Sequence, residues 1–207
     1  MGHRFAELAF TPRVQQAQEA AGSRANYARL HGGPDFNDVL GPDEEQFLAA
    51  RDSLYLATVG ETGWPYVQHR GGPPGFVKVL DERTIGFADF RGNRQYVSVG
   101  NLAGDQRIAL IAVDYPRRRR LKLLGHARIV TADAEPALLE RLRTPAYRAR
   151  VERGIVVTIA GFDWNCPQHI TPRYTEAEIA AATQPLRDRI AQLEVELQSA
   201  RARLAER

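Results

Sequence analysis

Apolar and polar positions change their period along the chain, and those changes mark out the elements. From Thr11 to about Leu30 the residues are rich in Ala, Gln and Arg, which favours helix. Thr11 suits the N-cap and Pro12 the first turn, and His31-Gly32-Gly33-Pro34 ends the segment. Gly41-Pro42 then opens a short helix to about Arg51. Asp43, Glu44 and Glu45 sit in its first turn, where the helix dipole favours negative charge. From Ser53 the pattern becomes that of strands. Ser53 to Val59 and Tyr66 to Arg70 flank the turn Gly60-Glu61-Thr62-Gly63 and predict a hairpin. The loop Gly71-Gly72-Pro73-Pro74-Gly75 follows. Phe76 to Leu80 and Thr84 to Asp89 predict a second hairpin, and Ile108 to Asp114 with Leu121 to Thr131 a third. Gly154 to Trp164 reads as a late strand. Asn93 to Leu102 predicts a short helix, and Glu135 to about Glu152 a longer one with Leu138, Leu139 and Leu142 on one side.

Seven short strands, mostly joined by hairpins, indicate a mainly β chain. The arrangement expected is an antiparallel barrel with flanking helices, not a doubly wound sheet. The last segment differs. Leu186, Ile190, Leu193, Leu197, Ala200 and Leu204 recur at alternating steps of four and three, a coiled-coil-like seam. The helix is expected to start after Thr183-Gln184, with Pro185 in its first turn. Its narrow stripe calls for a partner, either another copy of the tail or the chain's own barrel. The expected division is an N-terminal helical region over 1–52, a barrel over 53–174 and a helical tail over 175–207.

Composition narrows the class. Of the 207 residues, 43% are hydrophobic and 26% charged, an ordinary globular balance. No apolar run approaches the roughly 20 residues of a membrane span, and the N-terminus does not read as a secretory signal. A single cysteine, Cys166, excludes an intramolecular disulfide. These features favour a cytoplasmic protein. The net charge of +3 is concentrated in Arg117 to Arg120 and Lys122. Nucleic acid is disfavoured as a partner, because no other nucleic-acid motif accompanies that run.

Three clusters can carry chemistry. Asp89-Phe90-Arg91-Gly92-Asn93-Arg94-Gln95 leaves a strand, turns and enters a helix, a place where N–H groups and Arg94 can grip an anion. Gln68-His69-Arg70 ends a strand, with Lys78 on the next one. Asp163-Trp164-Asn165-Cys166-Pro167-Gln168-His169-Ile170-Thr171-Pro172-Arg173 packs an aromatic, a thiol, amides, an imidazole and a guanidinium into eleven residues. Such content suits a binding loop better than a spacer.

These clusters, together with Phe76-Val77-Lys78-Val79-Leu80, Ile85-Gly86-Phe87-Ala88-Asp89 and a strand holding Gly125, carry a resemblance. From about Ser53 to Arg173 the chain resembles the pyridoxamine 5'-phosphate oxidase-like family of FMN-binding split barrels, in its flavin-nucleotide-binding branch. The resemblance implies a homodimer with FMN at the subunit interface. It places Arg94, helped by Asn93 and Gln95, on the FMN phosphate, and Lys78 on the nucleotide. Arg120 and Leu121 would approach from the second subunit. Trp164 and Arg173 match the family's late Trp and Arg. Asp89, Arg70 and Gln168 complete the implied cofactor set, the last two at the polar edge of the ring. The late segment lacks the Arg-x-His arrangement tied to pyridoxamine phosphate, so the expected activity is a flavin-dependent oxidoreductase of another small molecule, with a nicotinamide donor among its possible partners. Open alternatives are a non-catalytic flavin-binding or storage protein, and a relative of the same fold that binds haem or deazaflavin. Cys166 with His169 offers two further readings, a nucleophile pair or half a zinc site. The first lacks a third orienting group and the second lacks ligands.

Overall fold

The computed structural model describes residues 2–30, 34–145, 147–164 and 167–205. Its seven strands form one antiparallel sheet in the order β2-β1-β5-β6-β7-β4-β3. They are β1 (Ser53–Val59), β2 (Pro65–Gly71), β3 (Val77–Asp81), β4 (Thr84–Phe90), β5 (Arg107–Asp114), β6 (Arg119–Val130) and β7 (Val151–Trp164). In β1, Leu54, Leu56 and Thr58 point inward, and in β5 Ile108, Leu110 and Ala112 do so, at the period of two that a half-buried strand requires. With Phe87, Leu121, Leu123, Val157 and Phe162 they make one core. β4 and the middle of β7 are buried on both faces, which explains their unbroken apolar runs. Helix α6 (Pro136–Leu142) covers the outer face, where Leu139 and Leu142 pack on Val130 and Val156.

The sheet does not close through its backbone. Edge strands β2 and β3 are joined in sequence by the Gly-Pro loop, yet no pairing links them among the described residues. Side chains bridge the gap. Arg70 of β2 donates to Asp89 of β4 at 2.5 Å. Helix α5 (Val97–Gly104) follows β4 and reaches back to the other edge, where Ser98 Oγ donates to Gln68 Oε1 at 3.3 Å and Asn101 Nδ2 to Thr58 Oγ1 at 2.9 Å. This is a split barrel, its slit held by polar contacts.

Two glycines are fixed by close approach. A Cβ at Gly125 would stand 2.4 Å from the Thr158 carbonyl oxygen, where the β6–β7 register shifts. A Cβ at Gly161 would stand 2.7 Å from the Phe5 amide nitrogen, so helix α1 (Arg4–Ala9) lies directly on β7.

The helices depart most from the expectations. The predicted helix over Thr11 to Leu30 is two: α2 (Pro12–Ala20) and α3 (Arg24–Ala28), parted where Gly22 takes a positive φ. Thr11 holds the cap position with extended backbone, without a side-chain cap bond. Helix α1 was not anticipated; His3 caps it, its Nδ1 accepting from the Ala6 N–H at 3.4 Å. Helix α4 (Pro42–Ala49) forms as expected, with the Gly41 N–H donating to Glu44. The helix expected from Asn93 starts only at Val97, because Arg94 and Tyr96 both take left-handed backbone. The helix expected from Glu135 to Glu152 stops at Leu142, since Pro145 disfavours helical backbone at Thr144. Residues 151–153 belong instead to β7.

Two compact units divide the chain. One comprises Met1–Asp114 with Arg119–Gln168, the sheet and its helices; the other comprises Tyr115–Arg118 with His169–Arg207. The second is dominated by α7 (Glu176–Ala205), a helix of 30 residues that begins well before Pro185. Its start carries a capping box. The Thr175 N–H donates to Glu178 Oε2 at 2.8 Å, and the Glu178 N–H to Thr175 Oγ1 at 3.2 Å. Pro185 therefore lies inside the helix. No helix among the described residues is long and apolar enough to cross a membrane.

Candidate functional site

At the slit of the barrel lies a cleft of about 230 Å³ lined by Gln68, Arg70, Asp89, Asn93, Arg94 and Tyr96, among others. Its floor is Asp89. One carboxylate oxygen takes the bond from Arg70, and the other lies 3.5 Å from Arg153 Nε. Asp89 is almost wholly buried, and burial pushes its carboxyl above the usual range, with Arg70 and Arg153 pulling it back. The Nε atoms of Arg70 and Arg153 are buried without a hydrogen-bond partner. A buried donor left without an acceptor is costly, and that of Arg70 belongs to a residue lining the cleft.

The upper wall is built by the loop after β4. Asn93 Oδ1 accepts from the Gln95 N–H at 3.2 Å, turning the chain. Arg94 has a φ of 61° and Tyr96 one of 54°, left-handed backbone that costs about 1–2 kcal/mol in a residue with a Cβ. Strain of this kind collects where a side chain must be aimed. Tyr96 joins the wall: Arg94 Nε donates to its hydroxyl at 3.2 Å, and the hydroxyl donates to Glu152 Oε2 at 3.1 Å. Arg153 stacks over the Tyr96 ring at 4.6 Å. Arg91 Nε lies 3.6 Å from Glu152. Burial pushes the Glu152 carboxyl up, but hydrogen bonds from Arg153 and Tyr96 and the charges of Arg153 and Arg91 outweigh it, leaving it below the usual range. Four arginines, at 70, 91, 94 and 153, thus face two carboxylates, Asp89 and Glu152. Arg91 and Arg153 are not part of the cleft lining, where Arg70 and Arg94 meet Asp89 and Glu152 in equal number.

The cleft gathers Arg70, Asp89, Asn93 and Arg94 from the sequence-predicted set, with Gln68. The others lie elsewhere in the protomer. Lys78 donates to the Gly75 carbonyl at 2.5 Å, bracing the loop before β3. Gln95 is exposed beyond the cleft wall. Arg120 has a buried, unpartnered Nε, and Leu121 is in the core. Trp164 lines a second cavity of about 410 Å³ against the N-terminal helices, with His3, Phe5, Tyr27 and Lys122. It packs edge-on to Phe47, donates to Glu44 at 2.6 Å and lies under Arg119. Gln168 is exposed, and Arg173 sits over the Tyr115 ring in the second unit. Asn165 and Cys166 lie outside the described residues, and the Cys166–His169 readings with them. Among the described residues no group of His, Cys, Asp and Glu could hold a metal.

Sequence reasoning missed Tyr96, Glu152 and Arg153. Tyr96 directly follows the recognised tract. Glu152 and Arg153 were assigned to the end of a helix and the gap after it. Pro145, which halts that helix, was the available signal that the next residues were free to begin the strand.

A family model described as pyridoxamine 5'-phosphate oxidase matches residues 40–164. Among solved structures, HupZ of Group A Streptococcus is 15% identical, with 65% of this chain and 99% of that one covered and a TM-score of 0.49. An F420 reductase is 21% identical, with 60% and 98% covered and a TM-score of 0.42. A Clostridium acetobutylicum protein related to general stress protein 26 of Bacillus subtilis, of the pyridoxinephosphate oxidase family, is 16% identical, with 66% and 94% covered and a TM-score of 0.43. No curated protein matches.

Proposed function

We propose that this chain, which belongs to the pyridoxamine 5'-phosphate oxidase family, binds flavin mononucleotide at the barrel slit and serves as an oxidoreductase of a small molecule. The observation that carries the reading is the cleft after β4, lined by Arg70 and Arg94, where the buried Arg70 Nε lacks an acceptor. Arg94 and Asn93 would hold the phosphate, with Arg70 presented from the facing edge strand. Once bound, the flavin would supply one- or two-electron transfer. The chain's own part is to bind, orient and balance charge. Asp89 holds Arg70 in place from beneath, and Tyr96 ties Arg94 to Glu152.

The cleft favours flavin over haem. Of the side chains that bind haem iron, its lining offers only Tyr96, whose hydroxyl is already engaged by Arg94 and Glu152. Its volume, about 230 Å³, falls below the ~300 Å³ at which pockets usually enclose a small organic ligand. A second copy would complete the site, with its Arg120, Trp164 and Gln168 approaching the rest of the cofactor.

The test is optical. Purified protein should be yellow, and anaerobic NADH or NADPH should bleach it. Reoxidation by an added acceptor would complete the cycle. Colour that neither nicotinamide bleaches would contradict nicotinamide-driven turnover, and a haem spectrum would contradict the flavin.

A further inference from the structure

Helix α7 spans 30 residues, about 45 Å, and none of them is buried. Because it begins at Glu176, its apolar seam is longer than the tail after Pro185. Ile179 and Thr183 extend the series Leu186, Ile190, Leu193, Leu197, Ala200 and Leu204 at the same steps of four and three. The large seam residues stand open, with Leu186 66% and Leu204 71% exposed. A period of 3.5 residues keeps such a stripe facing a second helix of the same kind, and little else.

The details of α7 suit burial of this face. Thr183 is the polar seam member, and its hydroxyl donates to the Ile179 carbonyl at 2.9 Å, so it needs no outside partner. Pro185 and Ala181, whose carbonyl loses its helical donor to that proline, both fall on the side away from the seam. Flanking the seam are Arg187 and Arg189, then Glu194 and Glu196, then Arg201 and Arg203, a charge that changes sign every heptad. With a parallel copy in register, Arg189 meets the partner's Glu194 and Glu196 meets the partner's Arg201. With an antiparallel copy, Arg189 meets the partner's Glu196 and Arg187 the partner's Glu194. A slip of one heptad in either orientation sets like charges together. The pattern is complementary to itself and fixes a register.

We infer that α7 is a self-recognition element, pairing through the 179–204 seam with α7 of a second copy as a two-stranded coiled coil. This inference stands apart from flavin binding, since it uses no residue of the cleft.

Site-directed cross-linking of the full chain in a Cys166→Ser background tests it. Leu204→Cys, oxidised in dilute solution, should form a disulfide dimer with itself if the helices run parallel. If they run antiparallel, a mixture of Ile179→Cys and Leu204→Cys chains should link to each other. Either result supports the pairing. The outward-facing control Ala202→Cys should link at least tenfold more slowly, and adding Ile190→Lys with Leu193→Glu should abolish the seam link. The thermal transition of the sheet, followed by near-ultraviolet circular dichroism, should be unchanged. No seam link in either arrangement, or a link that survives the paired charges, overturns the proposal.

Discussion

In the proposed flavin site, cofactor retention turns on Arg94. Its left-handed backbone aims the guanidinium along the cleft wall, and Tyr96 steadies it. Charge-assisted hydrogen bonds are worth about 1.5–3 kcal/mol, so Arg94→Ala should weaken FMN about 10- to 100-fold. Equilibrium dialysis against FMN checks this, and unchanged affinity would remove Arg94 from the site. Asp89 plays a different part. Its loss strands Arg70 and Arg153 around a buried point, so Asp89→Ala should destabilise the fold by about 3–5 kcal/mol, read as a lower denaturation midpoint. Asp105, at the entry to β5, reports on pH. Hydrogen bonds from the Arg107 side chain and backbone N–H hold its carboxyl at about 2, below the ordinary 3.8. A lowered folded value means stability present above the unfolded value and lost as pH falls toward the folded one. The thermal midpoint of the wild type should therefore fall more steeply than that of Asp105→Asn between those two pH values; parallel curves would deny the coupling.

Among the elements, strands were legible, whereas of the helices only α4 matched its expected bounds. Alternation of burial and turn residues fixed all three hairpins to within one or two residues, because a strand's inward positions must be apolar wherever the core lies. The helices depend on backbone events that composition does not announce. Gly22 splits one, Pro145 stops another, and paired left-handed residues delay a third. Thr175-x-x-Glu178 was a readable start signal for α7, outweighed in the reading by the proline nine residues after Glu176. The β6–β7 bulge shows what strand alternation conceals. Since backbone stands where a Cβ would go, Gly125→Ala should cost about 1–3 kcal/mol. At roughly 2–4 °C per kcal/mol for a chain of this size, calorimetry would resolve it, and an unchanged midpoint would mean that the bulge adapts.

In the whole molecule, the open sheet and the site are one feature. A fully paired barrel would have no slit. This one leaves β2 and β4 apart and sets Arg70 against Asp89 across the gap, with the Arg94 loop beside it. That part of the site could be anticipated from sequence, because Gln68 to Arg70 and Asp89 to Gln95 both end strands. The contribution of β7 could not, since it depends on where β7 pairs with β4 and brings Arg153 opposite Asp89. Trp164, at the far end of the same strand, belongs to another cavity of the protomer and would reach a flavin only across a dimer. The decisive measurement is the flavin content of the natively purified chain, set beside its Arg94→Ala variant. The account predicts close to one FMN per chain in the wild type and a nearly colourless variant that keeps its fold. A colourless wild type that takes up no added FMN would contradict it.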